Sequence, residues 1–227
     1  NMTVKEIGRE LGVDYVLEGT VRWDRSQEDQ GRVRITPQLI RVSDDTHLWA
    51  EPYDRVISDI FSIQSDIAEQ IARQLDIRVL EPERKALSER PTQNLKAYDF
   101  YLQALEQYRK AYYAQDLEEH DKAAELLERA VELDDHFTFA YLYLSNVHSF
   151  VYEMGLDRSE ARRLKSLAAL NKALELQPDL PEVQLELGIY CMRVSTDYDR
   201  ALEIFKSVEK ARPNRPATFL GDIYRRK

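Results

Sequence analysis

The 227-residue chain has one cysteine, Cys191, so no intrachain disulfide can form and no thiolate set can hold a metal. Glycine is nearly as scarce. Its seven residues stand apart, and none belongs to a phosphate-cradling loop. No apolar run approaches the ~20 residues that a membrane-spanning helix needs, and no signal peptide opens the chain. Positive charge is in deficit: 32 Lys and Arg against 41 Asp and Glu, a formal net charge of −9. The deficit is spread, with 13 against 18 in residues 1–90 and 19 against 23 in the remainder, so no basic stripe marks a nucleic-acid surface. The short clusters Arg162-Arg163-x-Lys165 and Arg225–Lys227 read as solvated helix faces. Four histidines (His47, His120, His136, His148) are scattered, none in a metal-binding helical motif, and His148 reads as a packed ring. Asp44-Asp45 reads as a turn and Asp134-Asp135 as a helix end. No nucleophile, base and orienting group come together, so neither an enzyme nor a cofactor or metal site is expected.

A repeated helical pattern is present instead. His120–Asp135 (HDKAAELLERAVELDD) returns as Leu164–Pro178 and again as Asp199–Pro213. The copies align Ala123, Leu127 and Ala130 with Ser166, Leu170 and Ala173, and with Ala201, Phe205 and Val208. Residues four and seven apart share a helix face, so each copy offers a narrow apolar stripe whose small members admit a close neighbour. The interval from Ala130 to Ala173 is 43 residues and that from Ala173 to Val208 is 35, periods typical of stacked helical hairpins.

Upstream the pattern changes. Val4–Leu11 reads as an amphipathic helix between an N-cap at Thr3 and a stop at Gly12. Tyr15–Trp23 and Arg32–Val42 read as paired strands, the second with period-two alternation. A turn at Ser43–Asp45 leads into a third strand, Thr46–Asp54. Ile57–Leu80 reads as a long helix whose core stripe is Ile60, Ile63, Ile67, Ile71 and Leu75. This order implies a small α+β layer with helices on one sheet face. Glu81–Gln93, with Pro82 and Pro91, forms the boundary before a helix capped by Asn94 and rich in tyrosine. Two domains are therefore expected, 1–90 and 91–227. Native proteolysis is expected first at 88–93 and 24–31.

Leu187-Gly188, Ala201-x-x-x-Phe205 and Pro213, with Tyr141, Leu144-Ser145, Leu170, Ala173 and Pro178 before them, resemble the tetratricopeptide repeat. About three repeats would fill 91–227, with Leu220-Gly221 and Tyr224 opening a fourth. LGVDYVLEGTVR, RVRITPQLI, HLWAEPYDR and DIFSIQSDIAEQI resemble the TolB amino-terminal-like domain, here beginning partway through. Pro37 and Pro52 depart from that pattern, and each removes a ladder donor. The order of these two modules is similar to that in large bacterial regulatory proteins carrying a nucleotide cyclase, a protein kinase or a winged-helix domain.

The resemblance implies a non-catalytic interaction module with a groove lined by the first helix of each repeat. Tyr98, Tyr101, Tyr108 and Arg109 would come from repeat one, and Phe139, Leu142, Asn146 and Phe150 from repeat two. Leu185, Ile189, Met192 and Arg193 would come from repeat three. Asn146, Arg109 and Arg193 echo a clamp for a partner's carboxylate. The expected partner is a protein or peptide segment, first of all the linked effector. The alternative is a small-molecule sensor with its ligand between sheet and long helix. Self-association through a bare sheet edge, or through an open last repeat presenting Phe219, Leu220 and Ile223, is a further expectation. A cytoplasmic location is expected, or a periplasmic one if a membrane span lies upstream.

Overall fold

The computed structural model describes residues 3–24, 32–56, 60–77, 90–211 and 216–226. Residues 57–59 and 78–80 of the expected long helix, 25–31 and 88–89 of the expected cleavage segments, and Pro213 lie outside them. The chain divides into two compact units, Asn1–Arg90 and Pro91–Lys227.

In the first unit, helix α1 (Val4–Leu11) starts in a capping box, Thr3 N donating to Glu6 Oε2 at 2.7 Å and Glu6 N to Thr3 Oγ1 at 3.3 Å. It stops at Gly12, whose φ of 65° is the left-handed conformation that ends helices. Four antiparallel strands follow: β1 (Tyr15–Asp24), β2 (Arg32–Arg41), β3 (Thr46–Ala50) and β4 (Tyr53–Val56). The single strand expected at Thr46–Asp54 is thus two, because Pro52 cannot donate to a ladder and the chain breaks at Glu51-Pro52. β1 pairs with β2 without a gap through Gly19 opposite Pro37. On the other side of β2 pairing lapses at Thr36-Pro37, between the β3 and β4 ladders. A Cβ on Gly19 would lie 2.7 Å from the Thr36 carbonyl, so glycine permits this approach. Helix α2 (Ile60–Gln74) follows and buries Ile60, Phe61 and Ile63; Val33, Leu39 and Tyr53 of the sheet are also buried.

The second unit is helical hairpins: α3 (Leu95–Ala114) with α4 (Leu117–Leu133), α5 (Thr138–Glu153) with α6 (Glu160–Leu176), and α7 (Pro181–Tyr190) with α8 (Tyr198–Ala211). Caps define the starts. Asn94 Oδ1 accepts from Ala97 N, Asp116 from Glu118 N and Glu119 N, and Ser159 Oγ from Arg162 N. Asn94 Nδ2 also donates to Leu133 O at 2.9 Å, tying the start of α3 to the end of α4. The recurring stripe is the seam. Ala123, Ala130, Ser166, Ala173 and Ala201 are fully buried, as are Leu127, Leu170 and Phe205 to within 1%. The close approach is most extreme at Gly188, where a Cβ would stand 2.3 Å from Phe205 Cε1.

Beyond Tyr190 the chain runs through a π-helical turn, Cys191–Ser195, that buries Cys191, Met192 and Val194. Helix α9 (Ala217–Arg226) packs on α8. Its apolar face is therefore not open, contrary to the sequence expectation. Ile223 and Leu220 are buried and Phe219 stacks on Phe205 at 5.5 Å, because a short amphipathic helix suffices to cover the last hairpin.

Arg162 also departs from its expected place on a solvated face. Its side chain is 9% exposed and bridges Asp121 of α4 at 2.8 Å and Asp157 at 3.0 Å. Its Nη1 donates to His148 Nδ1 at 2.9 Å, which places the histidine proton on Nε2. Burial, then the charge of Arg162, lowers the His148 pKa to about 4, so the ring is a neutral packing element.

Candidate partner-binding site

The first helices of successive hairpins are neighbours, α3 beside α5 and α5 beside α7. Each presents one face, i, i+3, i+4, i+7, to a shared cavity of about 500 Å3. From α3 come Tyr101 and Tyr108, from α5 Phe139, Leu142, Tyr143 and Asn146, and from α7 Glu182, Leu185, Glu186 and Ile189. Phe219 of α9 closes one side. Seven of the residues assigned to a groove from sequence thus come together: Tyr101, Tyr108, Phe139, Leu142, Asn146, Leu185 and Ile189.

The other five do not line this cavity. Tyr98 is buried behind Tyr101, their rings 6.1 Å apart. Phe150 is buried among Tyr112, His120 and Tyr108. Met192 belongs to the core around Phe205. Arg109 lies on the exposed side of α3, paired with Glu106 at 2.9 Å. Arg193 is mostly buried, its Nε 2.9 Å from Glu153 Oε2 and its guanidinium 5.4 Å from the Phe150 ring centre. The carboxylate clamp of Asn146, Arg109 and Arg193 is therefore not assembled, because Arg109 is paired with Glu106 of its own helix and Arg193 with Glu153 at the end of α5.

Asn146 is engaged as well. Its Oδ1 accepts from Tyr108 Oη at 2.9 Å and its Nδ2 donates to Glu186 Oε2 at 2.9 Å. The second Glu186 oxygen accepts from Ser145 Oγ at 3.0 Å. This chain of bonds fixes α3, α5 and α7 in register around one buried carboxylate. Burial lifts the Glu186 pKa to about 7, against the opposing pull of Asn146, Arg193 and Ser145. Burial likewise raises the hydroxyls of Tyr101 and Tyr108 well above the usual phenol range.

Glu182, Glu186, Tyr143 and Phe219 were missed from sequence. Three had a readable signal: the face that carries Leu185 and Ile189 must also carry Glu182 and Glu186, and the face of Phe139 and Asn146 must carry Tyr143.

Other polar clusters serve the fold. Asp134 accepts from Thr92 Oγ1 and, at 3.0 Å, from His136 N, while His136 Nδ1 lies 2.6 Å from Asp135 Oδ1. These acids finish α4 and order the following turn. His120 Nδ1 donates to the Asp116 carbonyl at 2.7 Å. Among the described residues, no helix is long and apolar enough to cross a membrane.

No protein-family model matches the chain. Over 142 residues, 63% of its length, it is 32% identical to a protein of Rhizobium meliloti (strain 1021) described as "Putative adenylate cyclase 3". The chain spans 23% of that protein's length, so the similarity concerns one segment of a much longer relative and is compatible with a regulatory module.

Proposed function

We propose that residues 91–227 are a non-catalytic interaction module of a larger bacterial signalling protein, and that a partner segment docks in the cavity between α3, α5 and α7. The observation that carries this reading is the cavity itself. Three successive first helices turn aromatic and aliphatic side chains onto one recess of about 500 Å3, a size suited to one or two anchoring side chains. We read the hairpins as tetratricopeptide repeats. Support comes from the seam, where the small residues of the repeat pattern are fully buried and Gly188 meets Phe205. The helix–sheet–helix order of the first unit supports a TolB-like reading there. The similarity to the rhizobial protein makes an adenylate cyclase domain the first effector to test as partner.

The test is the affinity of the chain for that cyclase domain, supplied separately. Tyr101→Ala and Leu185→Ala should each weaken binding about ten- to a hundredfold, the usual loss at an anchor. Lys165→Glu, on the exposed face of α6, should leave it unchanged. Arg162→Glu is unsuitable as a control, because it would break a buried ion pair. Loss of affinity with Lys165→Glu and not with the cavity variants would place the partner elsewhere.

A further inference from the structure

Resting on the docking reading above, we infer that the cavity selects a cation: the side chain of a lysine or arginine on an otherwise apolar partner segment. Among the described residues, those lining it include two glutamates, Glu182 and Glu186, and no lysine, arginine or histidine. Beside them stand the rings of Tyr101, Tyr108, Tyr143 and Phe139, whose π faces attract ammonium and guanidinium groups. Burial keeps Tyr101 and Tyr108 neutral, so they supply ring faces and dipoles rather than charge. Arg193 faces Glu186 from the π-helical turn, but it is shared with Glu153. Glu186 and Glu153 thus share one guanidinium, and the balance of these three groups stays negative when Glu186 is ionised. An arriving carboxylate would meet repulsion, with no basic group among the described residues of the wall to receive it. An arriving cation would find ring faces and a desolvated carboxylate held in place by Ser145 and Asn146.

The same geometry makes recognition pH-dependent. The groups facing Glu186 are Ser145 and Asn146 of α5, Tyr108 of α3 through Asn146, and Arg193 with its partner Glu153; Glu182 lies one turn earlier on α7. With a pKa of about 7, Glu186 is largely protonated at pH 6 and ionised at pH 8. A cation favours the ionised form, so its affinity rises with pH and binding releases a proton.

The experiment uses the full 227-residue chain with Tyr ring carbons labelled, titrated by NMR at pH 6 and pH 8. The probes are the pentapeptide acetyl-Ala-Leu-Lys-Leu-Ala-amide, its norleucine and glutamate counterparts, and n-butylammonium. The lysine peptide should bind about tenfold more tightly than the norleucine peptide at pH 8, shifting the rings of Tyr101, Tyr108 and Tyr143. The glutamate peptide should be weakest. In Glu186→Gln, lysine and norleucine peptides should come within about threefold of each other, and the pH dependence should vanish. Equal affinity for lysine and norleucine, or preference for glutamate, overturns the inference. So does n-butylammonium binding as tightly as the lysine peptide, which would indicate a free amine as the ligand. If the cyclase domain binds through Tyr101 while charge selectivity is absent, the docking reading stands and this one falls. If neither the domain nor any peptide binds, both fall.

Discussion

Glu186→Gln should stabilise the second unit above neutral pH and leave it nearly unchanged in acid. The carboxyl pKa is about 7 in the folded chain against an ordinary 4.5, a displacement of about 2.5 units worth ~3 kcal/mol at about 1.4 kcal/mol per unit. Because the folded value is the higher one, the folded state holds a proton that the unfolded chain releases between these limits. The neutral acid's full stability is present below 4.5, and it is lost as pH rises through 7. Gln mimics the neutral acid. Its amide can donate to Ser145 Oγ and its carbonyl accept from Asn146, while Ser145 turns its own hydrogen to Ser166 Oγ, 3.4 Å away. His148 works in the opposite sense. Its folded pKa of about 4 lies below the ordinary 6.5, so its contribution is present above 6.5 and is lost as pH falls through 4. Between about 4.5 and 6.5 the two slopes oppose, and in the unmodified chain they largely cancel. The variant exposes the His148 slope alone. Urea unfolding followed by circular dichroism at 222 nm, from pH 4 to pH 8.5, reads this directly. The variant should be more stable by ~3 kcal/mol at pH 8 and within ~0.5 kcal/mol at pH 4. Parallel profiles for the two chains would refute the argument.

Gly188→Ala should destabilise the α7–α8 hairpin by about 1–3 kcal/mol, because its methyl would overlap Phe205; Phe205→Leu in the same chain should recover part of the loss. Arg162→Met leaves His148 Nδ1 without its donor and two acids without their partner. Asp121 is 44% exposed and Asp157 28%, so both rehydrate, and the cost in thermal or urea unfolding should be ~1–3 kcal/mol rather than that of a fully buried pair. Asn94→Ala removes the cap of α3 and the tie to Leu133, and should cost ~1 kcal/mol by the same measurement.

Much of this architecture was legible because it rests on local rules. The seam residues Ala123, Ala130, Ser166, Ala173, Ala201 and Phe205 announce themselves by a spacing that only a helix uses, and Thr3, Gly12 and Asn94 act within their own turns. The two prolines were seen, and the sheet shows their consequence: a strand divided at Pro52 and a ladder that lapses beside Pro37. The groove faces of α3, α5 and α7 were implied by the repeat resemblance, and Tyr101, Tyr108, Phe139, Leu142, Asn146, Leu185 and Ile189 line one recess because each helix turns residues three, four and seven apart to the same side.

Only the tertiary structure decided how the charges are spent. Arg109, Arg162 and Arg193 look equally available in the sequence, because nothing local says whether a guanidinium faces water, a carboxylate or a ring. Packing put Arg162 between two acids and a histidine, and turned Arg193 onto Glu153 and Phe150. It left Arg109 outside with Glu106. The same packing drew Glu186 into the recess and placed Phe219 against it. A long side chain can reach partners many residues away in sequence, whereas a helix face is set by residues three and four apart. Periodicity therefore determined where the recess lies, and contacts across 40 residues, from Asn146 to Glu186, determined its charge.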